Sequence, residues 1–517
     1  MPRLTKRLFL TTKLCPRQGW LLLHRTSPAD LSLGEQFRIE QGIGIGERAR
    51  ELFPEGILIE QKATGDAARR TQELLADRAT TTLFEATFRH NDYTAKADVL
   101  IRRDTGWEMV EVKSATAKKV VDRNGKAKNS ATNRDLSDLV DDMAYTALII
   151  AKNGLEVSKV RLMLVADAFE LGMAPEKLFQ CFDFTGEVKK RAAEFERLLE
   201  PAAKTLAQPD EPAFRLINDC KKCEFFEHCI PPVPECTIFD IPRLSEKQLL
   251  DLYGKGVVLV KDIPADYPLT DTQKAPVACM RSGMTVIGAG LRDELTKVRW
   301  PAHYLDFETT QTAYPLYNNV HPYEKIATQY SVHTCSRCGE VAGHKEYLAD
   351  PARDCRRELA EQLIRDLDGD GSVLSYSSYE EQVIKGLIER YPDLKEPLTA
   401  IIKRIVDLIE CAKCVNHPEF RGSNSIKVVL PVLVPAMSYE GMPIANGEDA
   451  MVTFAWMARG SRRAIGPEGR EDRINVLRRF SPEECAQKRE EMLRYCELDT
   501  LAMVRVHEVF ERMAKGE

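Results

Sequence analysis

The spacing of apolar positions changes character several times along the chain. Three runs rich in β-branched and aromatic residues, 82–89, 97–103 and 107–112, have strand length, and the last two are separated by a turn at Asp104-Thr105-Gly106. Helical spacing precedes them at 45–52 and 67–78 and follows them at 135–152 and 188–199. This pattern ends at Pro231-Pro232-Val233-Pro234, which sets a first unit at residues 1–235. A short second unit, 236–299, holds a helix over 245–253 that turns at Gly254-Lys255-Gly256 into another apolar segment. It reads either as half of a helix-hairpin-helix or as a plain linker subdomain. The third unit, 300–517, predicts strands at 303–307, 327–333 and 344–348, then a helix at 350–367, a strand at 372–376, a helix at 379–390, a strand at 405–409 and a closing helix at 482–513. Consecutive strands followed by helix-strand alternation imply a mixed sheet with helices on its faces, so the expected class is α/β throughout.

Composition narrows the reading. A length of 517 residues suits about three domains. No apolar run approaches the roughly 20 residues of a membrane span. The first 25 residues are basic and contain Trp20-Leu21-Leu22-Leu23, but charges and Pro16 interrupt them, and they are read as mature protein. The net charge of −6 argues against binding nucleic acid through overall charge and directs attention to local patches. Between Lys113 and Arg134 such a patch appears: Lys118, Lys119, Arg123, Lys126 and Lys128 surround a glycine-containing loop with Asp122 as the sole acid. A solvated loop is its plain reading, nucleic-acid contact its functional one. Fourteen cysteines without a secretory signal favour metal ligation or free thiols in a reducing, cytoplasmic compartment.

Three constellations carry chemistry. Asp98 lies on one predicted strand, and alternation puts Glu111 and Lys113 on one face of the next. Two carboxylates can hold Mg2+ or Mn2+, and a lysine can orient water or stabilise developing charge during phosphodiester hydrolysis. With Glu85 upstream and Asp141-Asp142-Met143-Ala144-Tyr145 downstream, the segment resembles the RecB-like branch of the PD-(D/E)XK nucleases. The resemblance implies a restriction-endonuclease-type core, with Asp98 and Glu111 as metal ligands and Lys113 and Tyr145 as catalytic residues. Asp141 stands where relatives have glutamine. Gly46-Glu47 stands where many have a histidine ligand, a role Glu47 is able to take.

Cys220-Lys221-Lys222-Cys223, with Cys229 further on and Cys15 near the start, offers four thiolates. Their spacing suits either a 4Fe-4S cluster or zinc. The wide split resembles the iron-sulfur RecB-like nucleases, which implies a 4Fe-4S cluster tying the N-terminal arm to the end of the unit.

In the third unit, Asp306 and Glu308 interrupt an apolar strand at i and i+2, and Tyr495 and Asp499 lie one helical turn apart. Burying paired acids is costly unless a cation compensates. The pattern resembles the DEDD exonucleases of the DnaQ-like, RNase H-fold group, which implies metal ligation by Asp306, Glu308, Glu380 and Asp499, a water-orienting Tyr495 and digestion from the 3′ end. Glu380 stands where most relatives have Asp, and Asp407 is the competing candidate. The order of both halves resembles a bacterial family in which the two nuclease types are fused. Cys335, Cys338, Cys411 and Cys414 form two C-x2-C pairs, a candidate Zn2+ site if the fold joins them and coincidental thiols if not. Two readings follow: a metal-dependent nuclease acting on nucleic acid, DNA ahead of RNA, or a nucleic-acid-binding protein in which one or both sites are inactive.

Overall fold

The computed structural model describes residues 4–25, 31–121, 128, 133–464 and 476–517. In the first unit, α1 (Lys6–Leu14) and α2 (Pro16–His24) precede α3 (Leu33–Glu51). The last begins in a capping box: Ser32 Oγ accepts from the Glu35 N–H at 3.2 Å, and the Glu35 carboxylate accepts from the Ser32 N–H at 2.9 Å. Helical spacing at 45–52 located only its second half, because Gly34, Gly42, Gly44 and Gly46 thin its apolar stripe.

There follow β1 (Ile57–Leu58), α4 (Thr64–Ala76), β2 (Thr82–His90), β3 (Tyr93–Arg102), β4 (Trp107–Thr116), α5 (Arg134–Lys152), β5 (Val157–Val165), β6 (Phe179–Asp183) and α6 (Thr185–Ala207). The six strands lie side by side in sequence order. Strands β2, β3 and β4 form an antiparallel meander, and α5 carries the chain across to β5, parallel to β4. Helices α1, α5 and α6 cover one face over Leu100, Met109, Met143, Tyr145, Leu162 and Phe195. Helix α3 covers the other, where Ala49 meets Phe84, Val99, Val110 and Met163.

Between the sheets lie α7 (Phe226–Cys229), α8 (Glu246–Gly254) and α9 (Asp271–Ser282). Leu216 and Cys220 share a core with Ile238, Leu249, Leu252, Val260 and Val277, so the boundary expected at 235 falls inside a packed body. The helix-hairpin-helix alternative is not met. After the glycine turn comes a single 3-10 turn, Val260–Asp262, and the N–H groups of Lys255, Gly256 and Val257 bond back to carbonyls of Asp251, Tyr253 and Leu252. These donors satisfy the end of α8 and are not offered to a phosphate.

Two elements within the span expected of the second unit, β7 (Val286–Ile287) and α10 (Gly290–Leu295), pack with the third unit, which continues with β8 (Ala302–Thr310), β9 (Ile326–Arg337), β10 (Glu340–Leu348), α11 (Arg356–Asp366), β11 (Ser372–Ser375), α12 (Tyr379–Arg390), α13 (Lys395–Ile402), β12 (Ile405–Asp407), α14 (Ile409–Lys413), β13 (Val415–Asn416), α15 (Ile426–Leu433), α16 (Gly447–Arg459), β14 (Ser461–Ala464), β15 (Val476–Arg479) and α17 (Pro482–Lys515). Its main sheet has the order β10-β9-β8-β11-β12. The first three strands are antiparallel; β11 runs parallel to β8, and β12 parallel to β11. Helices α11, α12 and α13 pack on one face, and α14 to α17 on the other. Helices α15 and α16 fall in a stretch the hydrophobic pattern left unassigned. No helix among the described residues is long and apolar enough to cross a membrane.

Helix α16 also packs on α3, joining the two large units. Phe37 meets Trp456 edge to face at 6.3 Å, and Gln41 accepts from the Ala313 N–H at 2.7 Å. The buried Glu40 carboxylate accepts from Trp456 Nε1 at 2.7 Å and from Arg459 at 3.1 Å. Removing one partner of such a buried charged pair typically costs about 3 kcal/mol. Glu40→Ala is expected to destabilise the joined units by that order, read as a lower chemical-denaturation midpoint; an unchanged midpoint contradicts the assignment.

Candidate active sites

In the first unit, Asp98 of β3 and Glu111 and Lys113 of β4 gather beside α5. Pairing of β3 with β4 runs to Val99 opposite Val110; beyond it the Val112 N–H donates to the Asp98 carboxylate at 2.8 Å. The side chain thus replaces the ladder's next bond. Lys113 donates to Glu111 Oε1 at 2.8 Å and to Asp142 Oδ2 at 2.5 Å. Lys6 enters from α1, with its Nζ 3.3 Å from Glu111 Oε1 and 2.9 Å from Asp142 Oδ1. Burial pushes Glu111 up to about 7, with the Asp98 charge adding to it, and burial raises Asp98 as well. Burial works against charge on Lys113, but Glu111, Asp142 and Asp98 outweigh it and hold that pKa well above the ordinary value. Among the described residues Glu111 Oε2 is buried without a hydrogen-bond partner, which fits an acid shaped to receive a cation.

Lys6 and Asp142 were missed by sequence reasoning. Asp142 directly follows the residue aligned with the motif glutamine, and helix phase alone separates them. Asp141 turns instead to Lys13 and Arg191, pairing with both. Glu47 does not take the vacant ligand role, because Arg463 of the third unit holds it at 2.8 and 2.5 Å. Tyr145 has a framework position rather than the catalytic one implied: its hydroxyl, fully buried, lies 3.1 Å from the Leu4 carbonyl and 2.9 Å from that of Thr94. Glu85 sits at φ 56° within β2, 3.5 Å from Lys96 and 4.0 Å from Arg50, and its charge raises Asp98 further.

The basic patch is internally paired where it is described. Lys118 meets Asp167, Lys119 meets Asp135 and Arg134 meets Asp219, while Lys128 donates to the Lys118 carbonyl. Arg123 and Lys126 lie outside the described residues. Exposed pairs of this kind contribute about 0–1 kcal/mol and exchange readily for other anions.

Cys15, Cys220, Cys223 and Cys229 converge on one small pocket, otherwise lined by Gln18, Leu21, Phe214, Arg215, Phe225 and Phe226. Cys15 lies between α1 and α2, Cys220 and Cys223 on the turns before α7, and Cys229 at its end. Backbone N–H groups of Gln18, Ile217 and Phe225 point at the sulfurs of Cys15, Cys220 and Cys223, at 3.4, 3.3 and 3.4 Å. Donors aimed at sulfur stabilise thiolate, the ligating form, so these residues fit a metal group.

The second acidic site forms where β8 meets α17. Asp306 and Glu308 project from β8, Asp499 from α17, and one carboxylate oxygen of each lies within 4.8 Å of the other two. Buried Glu380, in the first turn of α12, adjoins them, its carboxylate 3.3 Å from the Ser377 hydroxyl. Burial, then Asp499, pushes Glu308 up to about 8; burial pushes Glu380 up to about 7. Burial, then Asp499, Glu380 and Glu308, raises Asp306 well above the carboxylate range. A Cβ built on Gly447, at the start of α16, would stand 3.4 Å from the Glu308 carboxylate, an ordinary contact that puts the start of α16 against this acid. This constellation fits a divalent cation. Asp407 accepts from the N–H of Ile409, the first residue of α14, at 3.0 Å.

Three surrounding residues were also missed. Tyr439 donates to Asp499 Oδ1 at 2.5 Å, Cys496 donates to Asp306 at 3.6 Å, and Lys427 donates to the Tyr495 hydroxyl at 2.9 Å. Lys427 also lies over the rings of Tyr439 and Tyr495. A lone lysine inside the apolar run 426–434 was the available signal for it.

The two remaining cysteine pairs stay apart. Cys335 and Cys338 neighbour Glu508 and Glu511 of α17, whereas Cys411 and Cys414 neighbour Glu294. The shared zinc site is not formed.

Residues 303–425 match a domain of unknown function, DUF2779. No curated protein matches the chain. The matched segment includes Asp306, Glu308 and Glu380 and stops short of Lys427, Tyr495 and Asp499.

Glu308 titrates near 8 in the folded chain against 4.5 ordinarily, so the folded state binds that proton more tightly. The resulting stability is complete below 4.5 and lost as pH rises through about 8. Metal-free protein is therefore expected to melt at progressively lower temperature between those values, and Mn2+ should restore the loss at the upper end. A Glu308→Gln variant should show a flatter profile; an identical profile in both proteins contradicts the burial argument.

Proposed function

We propose that the chain is a metal-dependent nuclease, with its hydrolytic centre in the third unit and a 3′-end exonuclease action of the DEDD type on DNA, or on RNA through the same chemistry. The observation that carries this reading is the convergence of Asp306, Glu308 and Asp499 within the span of bound cations. The strand order β10-β9-β8-β11-β12, three antiparallel then two parallel, supports an RNase H-like sheet with its acids on the first strand and the last helix. When bound, divalent ions supply Lewis-acid polarisation of the phosphoryl oxygen and lower the pKa of water. Within the chain, β8 fixes Asp306 and Glu308 on one side and α17 fixes Asp499 opposite. Tyr439 holds the Asp499 carboxylate in one orientation. Tyr495, anchored by Lys427, presents its phenol beside these acids, where it can orient water.

The first unit supports a RecB-like PD-(D/E)XK reading through Asp98, Glu111 and Lys113, and the four thiols support a 4Fe-4S cluster as the staple of its N-terminal arm. A second reading of this site, nucleic-acid binding without hydrolysis, is favoured by Lys6. Its ammonium stands between Glu111 and Asp142, where a cation would otherwise compensate them.

Asp306→Asn is expected to slow Mg2+- or Mn2+-dependent degradation of 3′-labelled strands by about 100- to 1000-fold, the scale of losing one charge-stabilising group. Cleavage that survives Asp306→Asn and Lys113→Ala, separately and together, defeats the nuclease reading. Anaerobic purification should give brown protein containing iron and sulfide, with the colour lost in Cys229→Ser; zinc alone would refute the cluster.

A further inference from the structure

Outside both acidic sites, β9, β10 and α17 bring two imidazoles and a carboxylate together. His333 and His344 are direct cross-strand partners, their rings stacked with centroids 4.4 Å apart and 30° between planes. Glu497 of α17 reaches over them, its Oε1 3.9 Å from His344 Nδ1. One ligand atom from each of the three lies within 4.8 Å of the other two, a span that one ion bridges.

The surroundings orient both rings. Thr500 Oγ1 lies 2.8 Å from His333 Nδ1, and Ser331 Oγ lies 2.9 Å from His344 Nε2. The two hydroxyls are 2.8 Å apart and bonded to each other. Each imidazole therefore has one nitrogen fixed from behind, leaving His333 Nε2 and His344 Nδ1 for an ion. This is the support a metal-ligating histidine ordinarily receives, a partner on the non-ligating nitrogen that sets tautomer and ring angle. Stacked imidazoles cannot both carry protons at low cost, and burial followed by the neighbouring His344 pushes His333 down to about 4.

We propose that His333, His344 and Glu497 form a separate metal site for a divalent ion of the zinc class. Two imidazoles and one carboxylate suit zinc and its transition-metal neighbours, whereas Mg2+ and Ca2+ prefer all-oxygen sets. Half of the Glu497 side chain remains exposed, which leaves a coordination position open to water. The site would clamp the β9–β10 hairpin to α17 two residues before Asp499. Ser331, which supports His344, is also the cross-strand partner of Asp306. The ion would thereby fix the register between the helix and strand that carry the acids, as a positioning element rather than a catalytic one.

The test uses the full chain, equilibrated at fixed free Zn2+ and analysed for zinc per chain, beside His344→Gln, Glu497→Gln and Ser331→Ala. His344 and Glu497 are the more exposed ligands, and melting in chelator should show that their variants fold as the parent does. The parent is expected to hold one more zinc per chain than either ligand variant, and its melting temperature should rise with Zn2+ by more than theirs. Ser331→Ala should keep the site but weaken Zn2+ by about 10- to 100-fold, the usual effect of losing an outer partner. Co2+ in the same site should show bands of nitrogen and oxygen ligation without sulfur charge transfer, lost in His344→Gln. Equal zinc content and equal Zn2+ response in all four proteins overturn the proposal. The readout is independent of nuclease activity, so its failure and that of the nuclease reading are distinguishable.

Discussion

The structure turns on the crowding of carboxylates at the meeting of β8 and α17. A strand whose other residues enter an apolar core carries two acids on one face, and a helix from the far end of the chain adds a third against them. Burial lifts all of these groups, and repulsion adds to it at Asp306 and Glu308, with Glu308 pushed up to about 8 and the adjoining Glu380 to about 7. Nothing in apolar packing favours such an arrangement, and Lys427, the nearby cation, is engaged with Tyr495 and the Ala445 carbonyl. The packing of α14 to α17 on that face of the sheet keeps the acids together despite their repulsion.

The first site handles the same electrostatic problem differently. Asp98, Glu111 and Asp142 are met by two lysines, and Asp142 is held well below the carboxylate range by Lys113 and Lys6 against the opposing effect of burial. One site is therefore largely neutralised by its own side chains, while in the other burial and mutual repulsion hold the acids' pKa values up. Helix α3 covers the first sheet on one side and meets α16 on the other; α16 in turn begins beside Glu308. The connection between β8 and β9 runs from Thr309, bonded to Tyr379 at 2.6 Å, to Tyr323, whose phenol bonds Ser114 next to Lys113. The two pockets are thus joined by continuous packing.

Much of this was legible in the chain because strand alternation is local. The i and i+2 acids of β8, and Glu111 with Lys113 on β4, needed only a period of two to be put on one face. The Tyr495–Asp499 pair needed only one helical turn. What escaped depends on phase or on distant chain. Asp142 rather than Asp141 faces the site because adjacent helix positions point about 100° apart, and the sequence does not fix which of the two looks inward. Lys6 arrives through the pairing of Leu4 with Tyr93, a contact across nearly ninety positions. Helix α15 was hidden because it contains Pro431 and is apolar nearly all round, so its period is masked.

The two C-x2-C pairs and the His333–His344 pair show opposite failures of reading by motif. The cysteines have the spacing of a metal knuckle, yet one pair ends a strand against α17 and the other sits on a short helix beside α10, so the spacing reflects local turns alone. The histidines are eleven residues apart with no recognisable motif. The hairpin register makes them neighbours, and α17 then brings Glu497, Thr500 and Asp499 to the same face. Ligand sets defined by sheet register leave no fixed interval in the sequence, because the hairpin's length and bulges set the interval. In this chain the bulges lie between Glu340 and Gly343, next to the turn. The two irregularities cancel, so the register that sets Glu340 opposite Arg337 is regained at Gly343 opposite Thr334 and places His344 opposite His333.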